Sequence, residues 1–282
     1  MDFLFDLFLA AVPLLSVSVG VLTSEFAGVM AVYADGMINF GGFLYYAVVH
    51  LTGSVLVGVF SSLMICVLLA LAVAAFTKKF KANPFLTGLA LNLGVSGTIS
   101  LLSVRFFGTR GVLFSPGFML SSLHHYGLVS VACFFIVAII FVLAFTKVGL
   151  YLRITGSSPE TLVVRGINPE SYKIASWGIA AFFSAVAGCI MVSDLSSFVP
   201  NISSGCGWTA LAVVFLGKRK IKGVVFAVFV FVLSEYIANN MQNIPVFKSF
   251  PSALLLAFPY FAALLFIALD FSRKRMKFKK KV

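Results

Sequence analysis

The chain has 282 residues, of which 61% are hydrophobic and only 11% are charged, and its formal net charge is +12 at pH 7. Water-soluble domains have roughly 45–50% apolar and about 25% charged residues, so this composition excludes a soluble domain. The apolar residues lie in continuous runs rather than alternating with polar ones, which excludes a membrane β-barrel. The sequence therefore predicts an all-α, polytopic transmembrane bundle, with residues 1–282 in one domain.

Apolar stretches separated by short polar breaks recur along the whole chain. A hydrocarbon core about 30 Å thick needs about 20 helical residues, and this criterion gives about nine predicted spans. They cover residues 3–22, 36–50, 54–76, 83–103, 127–146, 174–193, 206–217, 223–240 and 252–270. The second and seventh are short and accompanied by glycines. Short or broken helices are tolerated at membrane depth only where they pack against protein or line a wet cavity.

The predicted spans divide into two halves of opposite direction. Spans one to four form a first repeat at about 3–103, the fifth connects the halves at 127–146, and spans six to nine form a second repeat at about 174–270. The short helix is the second member of each half. Inverted repeats with paired short helices are typical of transporters whose path lies between the halves. The alternative is that any odd-numbered bundle divides in this way.

Basic residues fall in four clusters that nine spans place on one side of the membrane. All but three of the 21 lysines and arginines belong to them. They are Lys78, Lys79 and Lys81; Lys147, Arg153, Arg165 and Lys173; Lys218, Arg219, Lys220 and Lys222; and seven residues in a basic tail at 271–282. Because lysine and arginine favour cytoplasmic loops, we predict a cytoplasmic C-terminus and an external N-terminus. Topology explains this charge without nucleic-acid binding, and the tail has the charge to bind acidic lipid headgroups.

One loop does not fit this charge pattern. Residues 23–35 are predicted to lie inside, yet they carry Glu25 and Asp35 and no cation. The sequence alone offers no partner for these carboxylates.

The predicted cytoplasmic loop at 147–173 contains two helix starts. Ser158 can cap a helix with its hydroxyl, Pro159 suits the first helical position, and Glu160 favours the positive end of the helix dipole. Gly166 stands where a left-handed residue ends a helix, so we predict a short helix at 159–165. Asn168, followed by proline and glutamate, repeats the start signal and begins the sixth span. Such a surface helix is suited to docking a soluble partner; the alternative is an ordinary ordered loop.

This loop resembles that of permease subunits of ATP-binding-cassette (ABC) importers, in the branch shared by ribose, branched-chain amino-acid and nucleoside systems. The matching residues are Gly156, Pro159, Gly166, Ile167 and Lys173. The family's Asn-Pro is Ser158-Pro159 here, and its Ala-Ala is Thr161-Leu162. Two further segments, at 82–94 and 204–217, resemble family segments rich in Gly, Leu and Ala.

A third segment, at 24–42, resembles the nucleoside-type branch of this family. The matching residues are Ser24, Glu25, Gly28, Val29, Gly36, Met37 and Gly41. The departures are Phe26 for Arg, Ala31 for Asn and Asp35 for Glu. The resemblance implies one permease subunit of a purine-nucleoside importer in a bacterial cytoplasmic (inner) membrane. Its implied partners are a second permease subunit, expected to be non-identical, a cytoplasmic ATPase and an extracytoplasmic solute-binding (lipo)protein.

The chain contains no ATP-binding motif of its own. The nearest candidate, Gly217-Lys218, is followed by Arg219 and lacks the earlier glycine of that motif. We therefore expect no catalytic residue, cofactor or metal in this chain, and we expect ATP and magnesium to be used by the partner ATPase. The resemblance implies that the loop couples to this partner through Gly156, Ser157, Ser158, Pro159, Glu160, Arg165, Gly166, Ile167 and Asn168.

Polar side chains in or beside the predicted spans are candidates for the translocation path, because each is costly in lipid and calls for a reason. They are Glu25, Asp35, Asn39, Asn92, Trp208 and Glu235. For Asn39 and Asn92 the alternative is hydrogen bonding between helices, and for Glu235 it is a wet position at the external interface. The small residues Ser184 and Gly188 indicate a helix-packing face.

Two other classes of protein compete with this interpretation. A membrane-embedded enzyme is excluded by the absence of clustered aspartates, Gly-x-Ser-x-Gly and His-Glu-x-x-His. A stand-alone ion-coupled secondary transporter is the closer alternative, since inverted repeats are common there too. The short helix in the cytoplasmic loop favours the importer subunit.

Overall fold

The computed structural model describes residues 2–114 and 122–241, and these residues form ten α-helices. The helices are α1 (Asp2–Phe26), α2 (Ala34–Thr52), α3 (Val55–Lys79), α4 (Pro84–Phe107), α5 (Ser122–Phe145), α6 (Lys147–Ser157), α7 (Pro159–Val164), α8 (Pro169–Leu195), α9 (Cys206–Leu216) and α10 (Ile221–Met241). The predicted all-α class is confirmed for this part of the chain.

Six of these helices are long and apolar enough to cross a membrane, namely α1, α3, α4, α5, α8 and α10. The predicted number of about nine spans is not confirmed. Helix α9 has only 11 residues, α2 has 19 but is not among the six, and the predicted ninth span at 252–270 lies outside the described residues.

Several helix ends follow directly from the local sequence. Pro84 and Pro169 each open a helix behind an asparagine. The side-chain oxygen of Asn83 accepts a hydrogen bond from the N–H of Phe85 at 2.9 Å, and that of Asn168 accepts one from the N–H of Glu170 at 3.0 Å. A proline at the first position costs no hydrogen bond, because a backbone N–H at that position would have no partner inside the helix.

Helix α8 packs against α1, α2 and α3 through small residues. A side-chain carbon added to Gly41 of α2 would lie 2.7 Å from the Cα atom of Ala185, and one added to Gly188 would overlap the carbonyl oxygen of Ile38. The backbones of these helices are therefore in direct contact. Close packing of this kind holds helices together in lipid, where the hydrophobic effect does not favour their association. The predicted packing face at Ser184 and Gly188 is confirmed.

The three basic clusters that lie in the described residues meet at one end of the bundle. Lys81 and Lys173 line the same cavity, the Arg153 guanidinium lies 4.9 Å from the centre of the Phe26 ring, and Arg219 contacts Glu25. We call this the basic end and the opposite one the far end. The predicted basic tail at 271–282 lies outside the described residues.

Two helices begin inside the bundle, each after a stretch without helix. Residues 27–33 precede α2 and residues 196–205 precede α9. Helix α9 ends at the basic end beside the Glu25–Arg219 pair, and its 11 residues rise about 16 Å at 1.5 Å each. Its first turn therefore lies about halfway through a hydrocarbon core about 30 Å thick.

Candidate functional site

The first turns of α2 and α9 meet in the middle of the bundle. The Asp35 carboxylate of α2 accepts a hydrogen bond from the backbone N–H of Gly207 in α9, with an Oδ1–N distance of 3.0 Å. That N–H is one of the amide groups that a helix start leaves unpaired, and a negative charge there is favoured by the helix dipole. Gly207 has to be glycine, because an added side-chain carbon would lie 2.5 Å from the Asp35 Cα atom.

One turn further along α2, Asn39 completes the contact. Its amide nitrogen donates to the Ser203 hydroxyl at 2.8 Å and to the Asp35 carbonyl at 3.1 Å, and its amide oxygen accepts from the Ser203 N–H at 3.1 Å. Asp35 and Asn39 are 8% and 5% exposed. We call Asp35, Asn39, Ser203 and Gly207 the α2–α9 junction. Its hydrogen bonds join segments that are more than 160 residues apart in sequence.

Asn92 contacts the first turn of α2 at Gly36, the residue after Asp35. A side-chain carbon added to Gly36 would come within 2.5 Å of the Asn92 side-chain oxygen and 3.1 Å of its Cα atom. Asn92 therefore packs directly on the backbone of the first turn of α2. Three of the six predicted path residues, Asp35, Asn39 and Asn92, are thus brought together.

Glu235 belongs to a separate cavity of about 400 Å³ on the far-end side of the junction. Its polar lining residues are Asp194, Ser203, Ser204, Thr209, Glu235 and Tyr236, and its apolar ones come from α1, α8, α10, the start of α9 and the segment before it. We call it the far-end cavity. Ser203 belongs to both the cavity and the junction, so the two sites share a wall. Trp208 does not line this cavity, and its side chain is 44% exposed on α9.

Glu25 lies at the basic end rather than at the junction. Its carboxylate is 4% exposed and forms an ion pair with Arg219, with an Oε2–Nε distance of 3.1 Å. A buried carboxylate is costly without such a partner. The acidic loop at 23–35 therefore obtains its cation from the turn between α9 and α10. This pair was not predicted, although the acidic loop at 23–35 and the basic cluster at 218–222 were predicted to lie on the same side of the membrane.

The predicted docking loop consists of two helices rather than one. The structure adds α6, which was not predicted, and α7 ends at Val164, one residue earlier than expected. The prediction of a Ser158 hydroxyl cap was wrong, because its side chain makes no capping hydrogen bond and only its carbonyl accepts, from the Thr161 N–H. Gly166 has a φ of +72°, which confirms the predicted left-handed helix end.

Gly156 holds this loop against the end of α1. An added side-chain carbon would lie 2.8 Å from the Gly28 nitrogen and would overlap the Phe26 carbonyl oxygen. Gly28 itself has a φ of +77°, a conformation that suits glycine. The sequence identified Gly156 by resemblance, and its contact with residues 26–28 gives a physical reason for glycine at this position.

Helix α7 presents most of its surface outward. Leu162 is fully buried beneath it, whereas Val163 and Val164 are 61% and 87% exposed. The side chains of Glu160 and Arg165, at its two ends, are exposed as well. Exposed valines flanked by charges of both signs are suited to contact with another protein.

The amino-acid sequence shows the family directly. The model of the family described as branched-chain amino acid transport system, permease component, matches residues 3–260. The chain belongs to this permease family. With six apolar helices long enough to cross a bilayer, this permease is a multi-pass membrane protein.

Two curated relatives resemble the permease over most of its length, and a third over about a third of it. The nucleoside ABC transporter permease protein NupC of Lactococcus lactis is 26% identical over 94% of this chain and 90% of the relative. The guanosine ABC transporter permease protein NupQ of Bacillus subtilis is 23% identical over 90% of this chain and 87% of the relative. The ribose import permease protein RbsC of Haemophilus influenzae is 29% identical over 37% of this chain and 33% of the relative. No solved structure matches the permease significantly.

Proposed function

We propose that this permease is the membrane subunit of an ABC importer for a nucleoside, with purine nucleosides as the favoured class. The main observation in support is its similarity, along nearly the whole chain, to NupC and NupQ, which are named for nucleosides and guanosine. Its partners are a cytoplasmic ATPase, which uses ATP and magnesium, an extracytoplasmic binding (lipo)protein and a second, non-identical permease. The permease lies in the inner membrane of a bacterium, and its basic end faces the cytoplasm, in accordance with the positive-inside rule.

Helices α6 and α7 form the ATPase contact in this proposal. The exposed surface of Val163, Val164, Glu160 and Arg165 meets the partner, and the buried Leu162 attaches α7 to the loop. Gly156 then carries a displacement of the loop to residues 26–28, at the end of α1. The non-helical residues 27–33 connect that point to α2. A rigid element that has two positions can transmit closure of the ATPase in this way.

The far-end cavity and the α2–α9 junction form the solute path in this proposal. A cavity of about 400 Å³ is within the range of small-molecule sites, and its carboxylates and hydroxyls are suitable partners for ribose hydroxyls. The junction polar groups already bond to one another, so Asp35 and Asn39 form the wall of the path rather than its solute contacts. Helices that begin at membrane depth are typical of transporter sites.

The packing of the helices supports the predicted inverted repeat. Helix α1 packs on α9 and α10, while its counterpart α8 packs on α2 and α3. In each half a long helix is followed by a non-helical stretch and then by a helix that starts inside the bundle. The fourth member of the second half, at 252–270, lies outside the described residues.

Affinity purification through a C-terminal tag in a mild detergent tests the importer assignment. We expect an ATPase to co-purify, and we expect Val164→Asp, or Glu160→Ala with Arg165→Ala, to reduce its recovery. Val112→Asp is the matched control, because Val112 is 55% exposed but lies in the loop after α4, away from α7. Absence of any ATPase after crosslinking, together with uptake driven by an ion gradient, would instead support a stand-alone secondary transporter.

Uptake measurements test the solute. Cells that express the complete importer should accumulate labelled guanosine, and unlabelled purine nucleosides should compete better than ribose or leucine. Stronger competition by ribose would move the assignment to a sugar importer.

A further inference from the structure

A second cavity of about 400 Å³ lies at the basic end, apart from the far-end cavity and from α7. It is formed by the end of α3, the start of α4, the start of α8 and residue Val29. Its lining residues are Val29, Ala74, Thr77, Lys78, Lys81, Ala82, Pro84, Glu170, Lys173, Ile174 and Trp177. None of these belongs to the predicted path or docking surface.

The charges in this cavity are not balanced. Lys173 forms an ion pair with Glu170, with an Nζ–Oε1 distance of 2.7 Å. Lys78 and Lys81 also line the cavity, and no carboxylate besides Glu170 does so. The cavity therefore has an excess of two positive charges. Lys78 stands in the last turn of α3 and Lys81 in the short connection to α4, at the height of a membrane–water interface.

Trp177 forms a buried part of the wall of the same cavity. Its side chain is 2% exposed, and its indole N–H has no hydrogen-bond partner among the described residues. The ring is held in place by Tyr33, whose ring centroid lies 4.8 Å away and whose hydroxyl donates to the Trp177 carbonyl at 2.7 Å. Trp177 therefore contributes a fixed wall to the cavity.

The remaining lining is apolar. Ala74, Ile174 and Val29 lie beside the lysines and the indole. On α3, Ala74 and Lys78 continue the stripe of Val67 and Leu71, and these two line an apolar groove between α3, α5 and α8. A ligand suited to all these features has an anionic, oxygen-rich head and a hydrocarbon body.

We propose that this cavity binds the phosphate group of an anionic phospholipid of the membrane. Lys78 and Lys81 neutralise the phosphate, and the hydrocarbon chains lie along the apolar stripe of α3. Basic pockets between helices at the cytoplasmic side are suited to such headgroups. The proposal requires only that the chain lies in a membrane and does not depend on the transported solute.

Native mass spectrometry of the full-length permease in a mild detergent tests this site. The probes are phosphatidylglycerol and phosphatidylcholine with identical acyl chains. We expect preferential retention of phosphatidylglycerol, and we expect Lys78→Gln with Lys81→Gln to weaken it roughly tenfold or more, given the usual contribution of each cation near a membrane surface.

Lys79→Gln is the matched control, because Lys79 belongs to the same basic run but lies over the Phe80 ring and does not line the cavity. It should retain phosphatidylglycerol as the unmodified chain does. Equal retention of the two lipids, or an equal loss in Lys79→Gln, would overturn the site. Displacement of phosphatidylglycerol by millimolar inorganic phosphate would contradict a lipid ligand and would indicate that the cavity binds a soluble phosphate ion.

Discussion

Helices α7 and α9 are both short, with 6 and 11 residues, but their first turns are stabilised differently. Helix α9 begins inside the bundle, where the Asp35 carboxylate binds its Gly207 N–H. Helix α7 begins at the basic end behind Ser158, without any side-chain cap. A helix start at membrane depth needs a partner within the protein, whereas one at the surface can use water or another subunit. In the proposed importer, α9 accordingly belongs to a fixed wall and α7 to the surface that engages a partner.

The largest expected effect concerns the two sides of α7. Leu162→Ala should lower the free energy of unfolding by about 2–5 kcal/mol, because it removes a fully buried side chain. Val164→Ala, on the exposed side, should change it by less than about 0.5 kcal/mol. Thermal unfolding in detergent measures both, and ATPase recovery should fall in both. A stable Leu162→Ala variant would show that α7 is not anchored through this side chain.

A slightly smaller effect is expected at the anchor of the loop. Gly156→Ala places a carbon against the Phe26 carbonyl and the Gly28 nitrogen, so we expect overpacking to cost about 1–3 kcal/mol. Uptake should fall at least tenfold with the ATPase still bound, because the loop is displaced from residues 26–28. Gly127→Ala is the control, since nothing lies within 4 Å of the added carbon there. Normal uptake by Gly156→Ala would contradict the proposed transmission through this contact.

At the junction, the expected effect depends on which atom is removed. Asp35→Ala leaves the buried Gly207 N–H without its acceptor, which should cost about 1–3 kcal/mol of unfolding free energy. Asp35→Asn keeps an oxygen in this position and loses only the charge at the helix start, which should cost about 0.3–1 kcal/mol. Thermal unfolding with both variants tests this order. Equal losses would mean that the charge, rather than the hydrogen bond, holds α9.

The smallest expected effect is at the Glu25–Arg219 pair. Arg219 is about half exposed, so a double-mutant cycle with Glu25→Gln and Arg219→Gln should give a coupling energy of about 1 kcal/mol. The coupling should weaken when the salt concentration is raised. A coupling of zero at low salt would mean that Arg219 is held mainly by the Phe215 ring, which lies 5.4 Å from its guanidinium carbon.

Features determined by neighbouring residues were predictable from the sequence. The asparagine before Pro169 caps α8 as expected, and Gly166 ends the loop helix in the left-handed conformation. The composition predicted a helical membrane protein, because continuous apolar runs are compatible with few other membrane structures. Helix α8 runs from Pro169 to Leu195 and so extends beyond the predicted span at 174–193, since the polar residues of its first turns lie at the basic end.

The contacts of the polar residues were not predictable. Asp35 and Gly207 are 172 residues apart, and nothing in their local spacing indicates that one caps the helix of the other. Asn39 was assigned either to a path or to bonding between helices, and the choice depends on Ser203, which lies on a distant non-helical segment. Local patterns specify where helices begin, but pairing between distant segments follows from packing.

The Glu25–Arg219 ion pair also has a consequence for biosynthesis. In the proposed orientation, the ribosome completes α1 long before the cation that neutralises its inner end exists. At about 5–20 residues per second, Arg219 emerges roughly 10–40 seconds after Glu25. During this interval the acidic end of the first span has no basic flank of its own, and the first cations to follow are Lys78, Lys79 and Lys81. The direction in which α1 inserts therefore depends on lysines two helices later in the chain, and Arg219 stabilises that direction only after it has been chosen.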